Sequence, residues 1–294
     1  MRNLQLLQDA LTIFLGIFFE AIPFILMGVI VSAVIQQFVS QDTLLKYTPK
    51  NTLLGCIYGS FIGFIFPVCE CGNIPVARRL LQKGVSPSVA ISFLLGAPVL
   101  NPIVIAATLA AFPYQTEITL ARIIMSFLIA VLVGYFFSFA PKGFTAKITP
   151  VQPDDTCDHN HSVAENLVQH SLQEFFEMGG IMVIGGVIAS LTQVFIPREV
   201  ILDLATNPAM AVLSLMILAF VVSICSNVDS FFALAYAPLF PVPALLGFLV
   251  WGPMMDIKAL VMLRTSFTKK AIIIMALLTG LLTYIGCMLL YFIL

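Results

Sequence analysis

The segment FFEAIPFILMGVI, residues 18–30, lies inside an apolar run that extends from about residue 9 to residue 38. One helix needs only ~20 such residues to cross a bilayer. Of the whole chain, 60% of residues are hydrophobic and 10% are charged, and the mean hydropathy is +1.04. Ordinary globular domains contain about 25% charged residues. In lipid only helices and closed barrels satisfy their backbone hydrogen bonds, and long unbroken runs indicate helices. The sequence therefore predicts an all-α integral protein of the cell membrane.

Working outward from this run, the chain shows about eight hydrophobic segments. The first lacks a small-residue cleavage site after a short core, so we expect a retained helix rather than a signal peptide. The polar stretch 141–173, which contains all three histidines, is the expected linker. The segments are 9–38, 53–67, 85–112 with an interruption at GAPVLNP, 117–139, 175–196, 209–224, 244–263 with an interruption at GPMMD, and 271–294.

The two halves of the chain resemble each other in three blocks of sequence. FFEAIPFILMGVI matches FFEMGGIMVIGGV at 175–187, CGN at 71–73 matches CSN at 225–227, and FLLGAPVLNP at 93–102 matches FLVWGPMMDI at 248–257. We therefore predict two homologous membrane repeats, 1–140 and 174–294, joined by the linker. If the GAPVLNP-type segments fold back in the membrane, the repeats are inverted; if they cross it, the repeats are parallel. Half-span legs favour the inverted arrangement.

Interrupted helices in matching positions of two halves are typical of secondary transporters with a central substrate site. A helix break frees backbone groups that lipid cannot satisfy, so such breaks are expected to face the protein interior or a watery cavity. The alternative is that the prolines merely kink helices that face lipid. The breaks coincide with Asn, Asp, Glu and Cys, which favours the first interpretation.

The breaks supply the candidate substrate ligands. Cys69 and Cys71, with Cys225 from the second half, are expected to converge on a soft, thiophilic solute, because thiolates favour soft ions. Each cysteine alternatively packs as a small buried hydrophobe. Oxygen and hydrogen-bonding groups of the expected site are Glu70, Asn73, Asn227 and Asp229, with Asn101 and Asp256 at the second pair of breaks.

Two carboxyl groups occupy equivalent positions in the predicted repeats. Glu20 and Glu177 both lie within apolar segments, where charged groups are costly and are candidates for function. A carboxyl removed from water can bind and release protons near neutral pH, so both residues are candidates for proton coupling. The alternative is that each is a protonated side chain that caps a broken helix.

Other features limit the remaining function classes. In the linker, Cys157, His159 and His161 lie close enough for weak metal binding, but a fourth ligand at a defined spacing is missing, which favours a solvated flexible loop. The net charge is −1, so no basic surface indicates nucleic acid as a partner. No nucleotide-binding P-loop occurs. The expected partners are therefore a small-molecule or metalloid substrate and the lipid bilayer, with no cofactor and no enzymatic activity.

The stretch FPVCECGNIPVARRLLQKGVSPSVAISFLLGAPVLNP, residues 66–102, and FFEAIPFILMG near the start resemble the ArsP-type permease family. The best-known members export trivalent organoarsenicals, so the resemblance implies an exporter in which Cys69 and Cys71 are the metalloid thiols. The family usually has CSCG where this chain has CECG, so Glu70 adds a charge beside the thiols. We expect a proton-coupled secondary permease; the alternative is a membrane thiol redox or metal-handling protein without net transport.

Overall fold

The computed structural model describes residues 2–38, 46, 48–49, 51–65, 69–141, 144–147, 163–195 and 207–293. Within these ranges the chain is helical, and no strand forms beyond an isolated bridge between Ala146 and Phe267. The helices in chain order are α1 (Arg2–Phe38), α2 (Thr52–Ile65), α3 (Glu70–Gln82), α4 (Pro87–Leu100), α5 (Pro102–Ala111), α6 (Thr116–Phe136), α7 (Val163–Phe195), α8 (Pro208–Val222), α9 (Asp229–Leu234), α10 (Val242–Met254), α11 (Ile257–Leu263) and α12 (Lys269–Ile293). A 3-10 turn, Phe137–Phe139, follows α6.

Among these described residues, six helical stretches are long and apolar enough to cross a membrane. Their outer faces are apolar as well: the exposed residues Ile273, Leu277, Leu281, Ile285 and Leu289 follow one another every four residues along α12. This spacing places them on one face of the helix, and in water such a stripe would be a large exposed hydrophobic patch. The prediction of an all-α, multi-pass membrane protein is confirmed.

Two long helices begin earlier than the apolar runs that they contain. Helix α1 starts at Arg2, and α7 starts at Val163, inside the polar stretch predicted as the linker. A helix continues beyond the hydrocarbon because backbone hydrogen bonding does not depend on apolar side chains. The candidate metal ligands Cys157, His159 and His161 lie outside the described residues.

The two predicted helix interruptions are present. Asn101 alone separates α4 from α5, and Met255 and Asp256 separate α10 from α11. Asn101 (φ −59°, ψ 131°) and Asp256 (φ −127°, ψ 174°) leave the helical conformation at these points. Each break therefore divides an apolar segment into two short helices inside the fold.

Helices of the first half of the chain pack against helices of the second half. Helix α1 packs against α7, α4 against α10, and α6 against α12, while the short helices pack as α3 with α11 and α5 with α9. The crossing of α1 and α3 is very close, because a Cβ atom on Gly28 would lie 2.2 Å from the carbonyl oxygen of Gly72. This packing brings residues from distant breaks together. The assignment of 1–140 and 174–294 as repeats stays a prediction.

Candidate functional site: a buried thiol and carboxylate cluster

A group of sulfur and carboxylate atoms lies buried where α3 begins. Cys69 precedes α3 with an extended backbone, and Glu70 occupies its first turn. Cys225 lies in the segment between α8 and α9. The ligand atoms of these three residues all lie within 4.8 Å of one another. Their exposed fractions are only 1%, 5% and 4%, so the group is removed from bulk solvent.

The third predicted thiol adjoins this group. The side chain of Cys69 interacts with the thiols of both Cys71 and Cys225. The Sγ atom of Cys71 lies 4.0 Å from the Sδ atom of Met182 on α7. We call Cys69, Glu70, Cys71 and Cys225 the thiol cluster.

A buried lysine balances part of the cluster's charge. The Nζ atom of Lys258 on α11 lies 3.4 Å from Oε1 of Glu70 and 3.4 Å from Oδ2 of Asp256. The other Glu70 oxygen, Oε2, has no hydrogen-bond partner among the described residues. Since an ammonium shared between two carboxylates neutralises only one, the cluster holds a carboxylate oxygen available to a ligand.

Glu20 approaches the thiol cluster from α1. Its half-buried carboxyl interacts with the Cys225 thiol and with the charge of Lys258. The structure thus places this predicted proton carrier beside one of the predicted substrate ligands. Its predicted counterpart, Glu177, lies elsewhere, in an ion pair at 2.9 Å with Arg78, and its side chain is 44% exposed.

Two predicted asparagines lie next to the thiol cluster in the chain. Asn73 is fully buried on the first turns of α3. The Nδ2 atom of Asn227 lies 3.9 Å from the Sγ atom of Cys225. Both therefore belong to the segments that carry the thiols.

The residues predicted at the second pair of breaks act as helix caps. Oδ1 of Asn101 accepts a hydrogen bond from the backbone N–H of Ile103 at 2.9 Å, and Oδ1 of Asp256 accepts one from Ala259 at 2.6 Å. Capping by Asn and Asp satisfies backbone donors that a buried helix start would otherwise leave unpaired. Asp256 in addition reaches Lys258 with its other oxygen, so only this cap is connected to the thiol cluster.

Asp229 lies in a second buried polar group. The guanidinium of Arg122 on α6 binds it through two contacts, NH2 to Oδ2 at 2.5 Å and NH1 to Oδ1 at 3.1 Å. The hydroxyls of Thr108 and Ser230 each lie 2.8 Å from the same NH1 atom. We call these four residues the arginine cluster.

Sequence reasoning missed Lys258 and Arg122, which supply the positive charge in the two clusters. Both lie within apolar segments, Arg122 in TEITLARIIMSF and Lys258 in DIKALVML. Charged residues inside membrane segments are rare and mark functional or paired sites, so the same criterion that selected Glu20 would have found them. The three basic residues after CECG pair with neighbouring helices instead: Arg78 with Glu177, Arg79 with Glu174, and Lys83 with the backbone of Gln36.

A multi-pass helical bundle with a buried polar site at its helix breaks has the architecture of a membrane permease. The family model described as "Predicted permease", of the ArsP type, matches residues 6–292. The chain belongs to this family of predicted permeases, and the resemblance noted in the sequence is confirmed.

Two curated relatives match nearly the whole chain. The UPF0718 protein YcgR of Bacillus subtilis is 36% identical, with 90% of each chain covered. The "Putative two-component membrane permease complex subunit" of Streptococcus mutans is also 36% identical, covering 90% of this chain and 89% of the relative. YraQ of Escherichia coli is 28% identical over 46% of this chain and 39% of its own. No solved structure matches the chain significantly.

Proposed function

We propose that the protein is a secondary active permease that exports a thiophilic small solute through the thiol cluster in exchange for protons. The observation that supports this most directly is the meeting of Cys69 and Cys225, which lie far apart in the sequence, with Glu70 at one buried point. Secondary transporters bind substrate at the contact between their two halves, and these residues converge at such a contact. Trivalent organoarsenicals are the cargo that the family resemblance implies.

The chemistry of thiols accounts for coupling to protons. The thiolate rather than the thiol binds a soft solute, so each thiol that binds releases its proton. Glu20 lies beside Cys225 and is the carboxyl that we propose receives and passes on such a proton. Cargo and protons would then use the site in turn, which is the condition for exchange.

The experiment is a flux measurement with proteoliposomes and with membrane vesicles from expressing cells, in which phenylarsine oxide is followed after a pH step. The variant Cys69→Ser/Cys225→Ser should reduce flux to that of empty vesicles, since a hydroxyl matches a thiol in shape but not in softness. Cys56→Ser is the matched control, because Cys56 is equally buried but lies outside the cluster, beside Ser92. Unchanged flux in the double variant would contradict the proposal.

The two preparations also address a partner. The Streptococcus mutans relative carries the name of a complex subunit, and we propose that this chain likewise works with a second membrane component. We expect flux in the membrane vesicles from expressing cells and no flux in the proteoliposomes. Full flux by the purified chain alone would show that no second component is required, and no flux in either preparation would contradict transport itself.

A further inference from the structure

The thiol cluster contains more negative charge than a neutral solute needs. Glu70 lies among the thiols, Glu20 lies beside Cys225, and Asp256 shares the ammonium of Lys258 with Glu70. A neutral trivalent arsenical binds through sulfur and does not need a carboxylate ligand. The presence of Glu70 at the centre of the ligand set therefore calls for a different cargo.

Resting on the proposed function, we infer that the cargo is a soft divalent metal cation of the Zn(II) or Cd(II) type, bound by Cys69, Cys225 and Glu70. The cation that lies beside Glu70 in the structure is the ammonium of Lys258. The cargo displaces the ammonium from Glu70, and Lys258 stays paired with Asp256. Lys258 thus balances the charge of Glu70 when no cargo is bound.

The ligand set and its dimensions suit such an ion. Tetrahedral Zn(II) binds sulfur at about 2.3 Å and oxygen at about 2.0–2.2 Å, which sets its donor atoms roughly 3.5–4 Å apart. The three donor atoms already lie within 4.8 Å of one another, so a small contraction closes the site. Three protein ligands leave one position open, as in metal sites that exchange ligands, whereas closed four-ligand sites are structural.

The two oxygens of Glu70 differ in their contacts, and this difference favours cation binding. Oε1 faces Lys258 at the long distance of 3.4 Å, and Oε2 has no hydrogen-bond partner in the described part of the chain. A buried carboxylate oxygen without a partner is costly. A bound cation would remove this cost, which favours loading of the site.

The exchange balances in charge and atoms. One divalent ion forms two metal–sulfur bonds and one metal–oxygen bond, the two thiols release two protons that leave one after the other through Glu20, and no electron is transferred. Two positive charges therefore enter and two leave. Lys258 keeps its charge throughout and only loses its contact with Glu70.

The inference is tested by titrating the purified full-length chain with Cd(II) alone and following cadmium–thiolate ultraviolet absorption. We expect Glu70→Gln, which preserves shape, to weaken Cd(II) binding by about 100-fold or more, since loss of even an outer-shell partner costs about 10–100-fold. Lys269→Gln, an exposed lysine on α12, is the matched control and should bind like the wild type. Equal Cd(II) affinity in wild type and Glu70→Gln would overturn the inference.

Two variants test Lys258 separately. Lys258→Gln removes the competing cation and should raise the affinity for Cd(II). Lys258→Arg presents a fork that holds a carboxylate through two hydrogen bonds, and it should lower that affinity. If Lys258→Gln does not fold, the arginine variant still decides, because an unchanged affinity there would overturn the role of Lys258.

Parallel titration with phenylarsine oxide separates the two proposals. Binding of the arsenical that depends on Cys69 and Cys225, without any binding of Cd(II), would overturn the metal cargo and leave the thiol permease standing. Failure of both probes to bind would overturn both. Cd(II) binding that depends on Glu70 supports both.

Discussion

The thiol cluster and the arginine cluster each include a buried residue that forms an ion pair between helices of the two halves, yet these two pairs are built in opposite ways. Arg122 and Asp229 meet through two contacts, at 2.5 and 3.1 Å, and two hydroxyls complete the surroundings of one guanidinium nitrogen. Lys258 and Glu70 meet through one contact at 3.4 Å. The first pair is closed, whereas the second is open toward sulfur ligands.

From this difference we predict a structural role for the arginine cluster and a ligand-binding role for the thiol cluster. A buried charge pair is stable only when its remaining hydrogen-bonding capacity is satisfied. The arginine cluster meets that condition except at Nε of Arg122, which has no hydrogen-bond partner among the described residues, and it leaves Asp229 no oxygen for a substrate. The thiol cluster leaves Oε2 of Glu70 without a hydrogen-bond partner among the described residues. This oxygen is therefore available to a bound ligand. Asp229, predicted as a substrate ligand, is therefore engaged by its ion pair with Arg122.

The largest effect on stability is expected from Arg122→Met. This change leaves Asp229 buried without its counter-charge, and breaking a buried pair in this way costs about 3–5 kcal/mol of unfolding free energy. Denaturant unfolding in detergent micelles measures the loss. Arg122→Met/Asp229→Leu should recover most of it, because replacing both partners with apolar groups is often neutral. A single variant as stable as the wild type would show that the pair is not structural.

The next effect concerns how closely α1 approaches the thiol cluster. In Gly28→Ala the new Cβ would meet the carbonyl oxygen of Gly72 at 2.2 Å, which the helices relieve only by moving apart. Overpacking of this kind costs about 1–3 kcal/mol, and we expect Cd(II) binding to weaken because α3 carries the ligands. Gly16→Ala on the same helix is the control, since nothing lies within 4 Å of its Cβ position. Equal behaviour of the two variants would refute the close crossing.

The two helix caps extend the comparison, because Asn101 lies on the side of the arginine cluster and Asp256 on the side of the thiol cluster. Asn101→Ala removes the cap of α5, which carries Thr108 of the arginine cluster, and a lost cap costs about 1 kcal/mol. Asp256→Ala removes the cap of α11 and also a carboxylate partner of Lys258. We therefore expect Asp256→Ala to be the more destabilising in thermal unfolding, and to change Cd(II) affinity where Asn101→Ala does not. If Asn101→Ala is the more destabilising variant, the role of Asp256 in the thiol cluster is refuted.

Hydrophobic runs were sufficient to predict the long apolar helices, because span length and lipid exposure are local properties of the sequence. They did not predict α3 and α9, which lie outside those runs. The helix breaks at Asn101 and Asp256 were also readable. Asn followed by Pro102 is in fact the ordinary signature of a helix start, so the capping role could have been predicted in place of a ligand role. The convergence of Cys69, Glu70 and Cys225 was expected from the paired breaks, and the structure places their ligand atoms together.

The pairing of charges was not readable, because it depends on contacts between distant segments. Glu70 and Lys258 are 188 residues apart, and Arg122 and Asp229 are 107 apart. Asp229 follows Cys225 by one helical turn, so sequence proximity suggested a common site. The start of α9 instead directs it to Arg122, which no local pattern indicates.

The smallest effect on stability is expected from Glu177→Gln, and its comparison with Glu20→Gln tests proton coupling. Glu177 and Arg78 form a partly exposed pair, and such pairs contribute about 0–1 kcal/mol. We expect Glu177→Gln to leave both unfolding and the response of flux to a pH step nearly unchanged. Glu20→Gln should keep binding of the thiophilic probe but make its flux insensitive to the pH gradient, because Glu20 is the carboxyl beside Cys225 and Lys258. If instead both variants keep the wild-type pH response, the proton leaves the thiol cluster by another group; if only Glu177→Gln loses it, coupling resides at the exposed ion pair.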